Sequence, residues 1–297
     1  MTEVSAVIVT YNSREVIAGC LDSFASHTSR EACEVVVVDN CSADGSAELV
    51  AADYPWVRLV RSPRNAGLSA GWNAGVAASS GEFVAVINPD VRFETDAMSP
   101  LAVYLRAHAD AGVVAPKLLN DDGTLQLSCR AFPGYATVLF NRYSLLTRLL
   151  PGNRRSRDYL MSDFDHASVR DVDWVSGAAL MFPRRVFDEL GGWDAGFFLF
   201  NEDVDFCRRA HDAGYRVVYD PEAVVYHRIG ISEAASARII IERHRSIWRY
   251  YRKHLRQNVI VDALTAAGIA ARCGVLLIVG AARWRLGKAA SKRRSAG

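Results

Sequence analysis

From Val4 to about residue 116 the chain repeatedly sets a short apolar run against a stretch of helical periodicity. Val4–Thr10 and residues 34–39, 57–61, 82–88 and 113–115 read as strands. Ser13 is placed to cap a first helix carrying Val16, Ile17, Cys20, Leu21 and Phe24. Further helices are expected over 43–52, 68–79 and near 96–109. The strands are apolar throughout rather than alternating. Such strands, separated by helices, form a parallel sheet covered on both faces, so the expected fold class is α/β. Ligands of these sheets bind at the carboxyl ends of the strands. Thr10-Tyr11-Asn12, Asp39-Asn40 and Asn88-Pro89-Asp90 all fall there.

A length of 297 residues suits one large α/β domain with an appendage, or two modest domains. A hydrophobic fraction of 50% and a charged fraction of 23% exclude wholesale disorder. The net charge of +2 gives no case for nucleic-acid binding, but its distribution is uneven. Basic residues gather at Arg238, Arg243, Arg245, Arg249, Arg252, Lys253 and Arg256, then at Arg283, Arg285, Lys288, Lys292, Arg293 and Arg294. That asymmetry points to an anionic surface or substrate near the C-terminus. The six cysteines are scattered without a C-x-x-C pair, which favours free thiols in a reduced cytosolic compartment. No basic n-region or cleavage site precedes the first strand, so no signal peptide is expected.

Residues 117–229 have weaker periodicity and more aromatic residues, with a loop at 151–166 that reads as exposed and mobile. Helical patterning returns over 234–255. Residues 259–282 are apolar except for Asp262 and Arg272. At 1.5 Å per residue this run approaches the roughly 30 Å thickness of a bilayer's hydrocarbon core. The two charges, with Gly268 and Gly274, argue against a spanning helix. Two short interfacial helices on an anionic cytoplasmic leaflet are expected instead. Packing on the catalytic domain, or against a twin subunit in a homo-oligomer, is the alternative.

Several segments carry chemistry, each with a bland counterpart. Asp39 ends a strand and can accept hydrogen bonds from a ribose or a base, or simply cap the following turn. The run Arg64 to Gly75, with glycines at 67, 71 and 75, leads into a helix whose N–H groups can face phosphates. Its glycines equally suit helix–sheet contacts, and it is not the dinucleotide fingerprint. Asn88-Pro89-Asp90 offers a hard oxygen ligand of the kind Mg2+ or Mn2+ takes with substrate phosphates, or forms a plain turn. Glu202, Asp203 and Asp205 open a helix, with Arg208 and Arg209 on its opposite face. The helix dipole is expected to keep Asp203 ionised as a general base for a sugar hydroxyl. Gly191-Gly192-Trp193-Asp194 offers an aromatic approach for an acceptor, or a loop tucked on the core. His227 follows a strand and on its own reads as structural.

In that order, these segments resemble the inverting glycosyltransferase family 2, in its rhamnosyltransferase-like branch. The likeness runs from Val4 to about residue 230. It rests on Val9-Thr10-Tyr11-Asn12, Val38-Asp39-Asn40-Cys41-Ser42-Ala43-Asp44-Gly45, the 65–75 loop, Ile87-Asn88-Pro89-Asp90-Val91, Val175-Ser176-Gly177-Ala178, Asn201-Glu202-Asp203-Val204-Asp205 and Val225-Tyr226-His227. The resemblance implies a GT-A fold, with a Rossmann-like, mostly parallel sheet and a C-terminal helical appendage. It implies a nucleotide-sugar-binding half over 1–116 and an acceptor-binding and catalytic half over 117–230; the apolar run and basic residues mark 231–297 as an expected membrane-surface region.

Asp203 matches the family's base. Asp90 matches the metal-binding aspartate of its D-x-D motif, with His227 completing coordination of Mg2+ or Mn2+. Asn88 replaces the motif's first aspartate and removes one charged ligand. Donor contacts are expected from Thr10, Tyr11, Asn12, Asp39, Asn65, Gly67, Asn73, Asn88 and Asp90, and acceptor contacts from Trp174, Gly177, Trp193 and Glu202. The branch implies dTDP-L-rhamnose as donor and a glycan or polyprenyl-linked acceptor at the inner face of the plasma membrane. UDP-galactofuranose or UDP-N-acetylglucosamine is the alternative donor. A non-catalytic sugar-nucleotide-binding module would have no need of Asp203. A nucleotidyltransferase would carry its glycine-rich loop after the first strand, where Thr10-Tyr11-Asn12 stands.

Overall fold

The computed structural model describes residues 3–29, 31–134, 157, 159–228 and 236–294, with side chains to residue 281. The chain divides into two compact units, one of residues 1–198 with 202–228 and one of 199–201 with 229–297.

The first unit is built on a sheet of ten strands. The strands are β1 (Val4–Thr10), β2 (Cys33–Asp39), β3 (Arg58–Arg61), β4 (Phe83–Ile87), β5 (Val91–Arg92), β6 (Ala111–Leu119), β7 (Leu125–Gln126), β9 (Arg170–Val172), β11 (Ala179–Pro183) and β12 (Arg216–His227). The main path runs β3-β2-β1-β4-β11-β6-β12-β5, with β7 on β6 and β9 on β12. Strands β1 to β4 are parallel, as are β6 and β12. The strand expected at 113–115 extends over nine residues and joins this sheet beyond β11, which runs antiparallel to both β4 and β6. A small antiparallel pair, β8 (Cys129–Arg130) and β10 (Trp174–Val175), stands apart.

Every residue of β1 and β4 is buried, because helices cover both faces. Ala6 and Ile8 of β1 share a core with Ile17, Leu21 and Phe24 of α1 (Arg14–His27), Val50 of α2 (Ser46–Asp53) and Leu101 and Leu105 of α4 (Met98–Ala107). The alternate residues Val7 and Val9 face α3 (Leu68–Ala77). There a Cβ on Gly71 would lie 2.8 Å from Val9 Cγ1, and one on Gly75 would collide with Val7. The period of two along the strand thus assigns helices to opposite faces. Helices α5 (Arg184–Glu189) and α6 (Glu202–Asp212) follow β11 in the chain.

Ser13 stands at the N-cap of α1 but does not cap it, since its hydroxyl donates to Tyr11 O. Asp44 Oδ2 accepts from Arg14 N at 2.9 Å and Ser46 Oγ from Ser13 N at 3.0 Å. A cap supplied from thirty residues away cannot be read from local sequence. In the 151–166 loop, residues 151–156 and 158 lie outside the described residues, whereas Phe164 and His166 are buried.

The second unit carries α7 (Ala237–Tyr250), a π-helical turn over Tyr251–Leu255 and α8 (Val259–Arg294). Ser236 caps α7 by accepting from Ile239 N. Ser246 Oγ donates to Leu199 O at 2.8 Å, which joins residues 199–201 to this unit. The two short helices expected over 259–282 are one continuous helix. Gly268 and Gly274 have no neighbour within 4 Å and sit among good helix formers, where each costs only about 1 kcal/mol. Asp262 does not interrupt the helix, because it lies in the first turn and accepts from Tyr251 OH and Gln257 N. Val259–Ala281 has a mean hydropathy of 1.9 and is long and apolar enough to cross a membrane by length and composition alone.

The helix–sheet contacts predict opposite outcomes for two glycines. Gly75→Val should lower the free energy of unfolding by about 1–3 kcal/mol through overpacking against β1. Gly19→Ala, exposed on α1 with nothing within 4 Å, should raise it by up to about 1 kcal/mol. Urea denaturation midpoints compare the two, and an unchanged midpoint for Gly75→Val would contradict the packing described.

Candidate active site

The first cluster gathers at the carboxyl ends of β1 and β2. Asn40, which the sequence reading passed over, is its hub. Its N–H donates to Thr10 O at 2.8 Å, its Nδ2 donates to Asn65 Oδ1 and Gly67 O at 3.0 Å each, and its Oδ1 accepts from Ala66 N. The 65–67 loop is thereby held against the end of β1. Asn65 Oδ1 also accepts from Gly67 N, so this atom shapes the loop. Gly67 has φ +93° and lets Phe198 approach so closely that a Cβ would meet Phe198 O at 2.6 Å. Leu68 N, the first N–H of α3, already donates to Phe198 O at 2.7 Å, so the expected phosphate-facing helix start is partly occupied by the chain itself.

Asp39 is buried. Its Oδ2 accepts from Ser42 N at 3.1 Å, while Oδ1 has no hydrogen-bond partner. Thr10 Oγ1 is likewise buried without a partner. Tyr11 beside it is 44% exposed, with its ring open to a planar ligand. Asn12 takes φ 52° and spends its Oδ1 on Ala43 N. Asn73 is placed away from this cluster. Its amide brackets the backbone of Trp193, accepting from the N–H and donating to the carbonyl. Both polar atoms are consumed, which leaves Asn73 a scaffold.

At the end of β4, Asn88 N donates to Ala178 O at 2.8 Å and Val91 N closes the Asn88-Pro89-Asp90 turn on Asn88 O. The antiparallel pairing of β5 with β12 sets His227 opposite Val91 and so beside Asp90. His227 Nε2 lies 3.4 Å from Asp90 Oδ1, which is buried and has no hydrogen-bond partner. Two bases facing one another across that gap fit a small cation. Among the described residues no group of three His, Cys, Asp or Glu side chains converges to hold a metal without further ligands. A two-residue site completed by substrate phosphates suits Mg2+ or Mn2+.

The carboxylates of α6 separate by environment. Asp203 is half-buried and accepts from Gly177 N at 3.0 Å and from its neighbour Val204 N at 2.8 Å. Burial pushes its pKa up, against those two N–H donors and the charge of Arg130. The helix dipole expected to favour the ionised form is therefore opposed by a desolvation cost, which is the larger effect on this group. Glu202 is 6% exposed, with Oε2 unpartnered. Burial, and then the charge of Asp203, push it well above the carboxylate range. Asp203 has the N–H groups of Gly177 and Val204 for its anion, and burial opposes the charged form of both carboxylates. Asp205 is fully buried and pairs with Arg209 at 2.8 Å, so Arg209 lies on its face of the helix rather than opposite. Arg209 also donates to Leu190 O, which ties the helix to the loop before it.

The two expected aromatic platforms are internal. Trp193 is 2% exposed, 4.2 Å from the ring of Phe206 and 4.5 Å from that of Trp72. Its large apolar area is satisfied in the core, so its ring does not face an acceptor in this structure. Trp174 is also buried and donates from Nε1 to Ala131 O. Its ring lies 5.3 Å under the guanidinium of Arg130, whose charge reaches Asp203. Arg130 and Tyr159 are the residues near the base that the sequence did not suggest, since neither follows a strand of the parallel sheet. At Gly177, expected to contact the acceptor, a Cβ would press on Trp72 at 2.8 Å and Asp203 at 3.3 Å. The Gly177-Ala178 step holds Asp203 by one amide and Asn88 by the next carbonyl, joining the two halves of the site.

The profile described as Glycosyl transferase family 2 matches residues 5–156, and Glycosyl transferase family group 2 matches residues 131–279. The chain is 30% identical over 239 residues to an N-acetylglucosaminyl-diphospho-decaprenol L-rhamnosyltransferase of Mycobacterium tuberculosis, covering 76% of each chain. It is 38% identical over 240 residues to the succinoglycan biosynthesis protein ExoO of Rhizobium meliloti, covering 80% of this chain and 63% of that one. Among solved structures it resembles the mannosyltransferase PcManGT of Pyrobaculum calidifontis, solved with GDP-Man and Mn2+. The TM-score is 0.58 at 18% identity, over 94% of this chain and 79% of that one. The sheet is that of the GT-A fold, and the chain belongs to glycosyltransferase family 2.

Proposed function

We propose that this glycosyltransferase moves L-rhamnose from dTDP-L-rhamnose to a glycan or polyprenyl-linked glycan, with inversion at the anomeric carbon. The observation that carries the catalytic reading is the Gly177-Ala178 step, which holds the base Asp203 and the Asn88-Pro89-Asp90 turn from adjacent residues. The likeness to the mycobacterial rhamnosyltransferase supports the donor and a lipid-linked acceptor.

In this reading residues 1–116 bind the donor and 117–230 bind the acceptor and carry the base. Asp39 Oδ1 and Thr10 Oγ1, both without partners, meet the nucleoside, with Tyr11 against its base. Asp90 and His227 would hold Mg2+ or Mn2+ with the donor diphosphate, and the ion supplies positive charge against the departing nucleotide. Asp203 takes the proton of the acceptor hydroxyl as its oxygen bonds to the anomeric carbon. The bond from that carbon to the nucleotide's phosphate oxygen breaks on the opposite face. One base and no enzyme nucleophile are needed.

Purified full-length protein, incubated with membranes and labelled nucleotide sugars, tests the donor. Saturable transfer from dTDP-L-rhamnose with an inverted product is expected. Transfer from a UDP-sugar alone would overturn the donor, and a retained configuration would overturn the mechanism. Asp203→Asn should lower turnover by about 10²–10⁴-fold with donor affinity preserved. Because burial raises the base's pKa, wild-type turnover should fall as pH drops through a value above the ordinary carboxylate pKa of about 4. An acidic limb at or below that value would contradict the assignment.

We propose further that α8 brings the enzyme to the anionic inner face of the plasma membrane, with the late basic residues against the lipid headgroups. Val259, Ile260, Leu264 and Ile278 are each more than two-thirds exposed, and their helix is about 34 Å long over Val259–Ala281. Deleting the chain after Asn258 should abolish sedimentation with anionic vesicles and impair transfer to a lipid acceptor. A truncated protein that still sediments would refute the anchor, whereas one that aggregates would favour packing against protein.

A further inference from the structure

We infer that Gln126 is a positioning residue, fixing which ring nitrogen of His227 is free to meet a cation beside Asp90. The inference rests on the proposed metal role of Asp90 and His227. Its geometry, however, belongs to the chain alone.

Strand β7 pairs antiparallel with β6, Gln126 opposite Leu118, and β6 runs parallel to β12. This brings Gln126 to the end of β12, a hundred residues away in sequence. Its Nε2 donates to His227 O at 3.2 Å and to Asn120 Oδ1 at 3.0 Å. Asn120 is itself held, its Nδ2 donating to Thr124 Oγ1 and its N–H to Thr124 O. With both Nε2 acceptors in place the amide has one orientation, and Oε1 is left to accept. That oxygen lies 2.7 Å from His227 Nδ1. An amide oxygen has no hydrogen to give, so the proton of this bond is on Nδ1. In the neutral ring Nε2 then carries a lone pair, and it is Nε2 that lies 3.4 Å from the unpartnered Asp90 Oδ1.

With the proton on the other nitrogen, the ring would donate to Asp90 and close the gap with a hydrogen bond. The amide thus keeps the site open for a cation. Groups that orient a ligating imidazole in this way are typically worth about 10–100-fold in metal affinity. The turn that delivers Gln126 is stiff: Asp122 Oδ1 accepts from Thr124 N, and Gly123 takes φ +80°.

Two readouts on the full chain test this. Long-range nitrogen–proton NMR of the metal-free protein reports the tautomer of His227 without any metal. The wild type should be protonated at Nδ1. Gln126→Leu, of similar length without the acceptor, should shift the population toward Nε2–H, and Gln126→Glu, which still accepts, should keep Nδ1–H. An Nε2–H wild type, or a Gln126→Leu ring unchanged from wild type, would overturn the inference.

The second readout is free Mn2+ by electron paramagnetic resonance in the presence of dTDP. Gln126→Leu should weaken Mn2+ binding about 10–100-fold, and Gln126→Glu should stay near wild type. Binding lost in Asp90→Ala but unchanged in Gln126→Leu would defeat the role of Gln126 and leave the metal site standing. Binding unchanged in both would defeat the metal reading and this inference together. Should Gln126→Leu fail to fold, equal Mn2+ binding by wild type and Gln126→Ala would overturn the inference in its place.

Discussion

Strands β1 and β4 lie at the centre of a sheet with helices on both faces, and no residue of either reaches solvent. A polar side chain there costs a few kcal/mol unless it finds a partner inside. Ser5 shows the terms on which one is tolerated: it donates to Glu34 and accepts from Gly81 N at the amino-terminal end. Elsewhere polar chemistry is displaced to the strand ends. At the carboxyl ends the diverging chain gives it room, and there Thr10, Asp39, Asn40, Asn88 and Asp90 collect.

A purely parallel sheet would leave the end of β4 and Asp203 on separate elements with nothing to register them. The antiparallel strand β11, inserted between β4 and β6, supplies the register. Its approach, Gly177-Ala178, runs past the end of β4 and the start of α6, and bonds to each. Two further reversals, β5 against β12 and β7 against β6, set His227 beside Asp90 and Gln126 beside His227. The cleft is therefore assembled by the antiparallel elements on a floor made by the parallel ones.

Buried polar atoms without partners are few in folded proteins, and each costs about 1–3 kcal/mol. Here Thr10 Oγ1, Asp39 Oδ1, Asp90 Oδ1 and Glu202 Oε2 belong to the strand ends and the helix start of this site. Among their neighbours, the amides of Asn40 and Asn73 and one oxygen of Asp39 are bonded within the chain.

The apolar runs of β1, β2 and β4 made an α/β fold legible, because an uninterrupted hydrophobic strand has no other stable setting than a sheet covered twice. The motifs at the strand ends likewise marked Asp39, Asp90, Asp203 and His227 as residues to watch, and the linear order of those motifs carried the family. What each neighbour does was not legible. Asn73 and Trp193 look like ligand contacts in sequence, yet they bind one another across 120 residues; Arg130 and Gln126 looked unremarkable and stand beside the chemistry. The reading of 259–282 as two short helices failed because Asp262 is consumed by Tyr251 in the first turn rather than breaking the helix. Sequence by itself determined where strands and acidic turns lie, since burial and backbone geometry act over a few residues. Tertiary structure alone decided which side chains stay free, because a hydrogen bond between distant residues depends on the register of strands that local sequence does not encode.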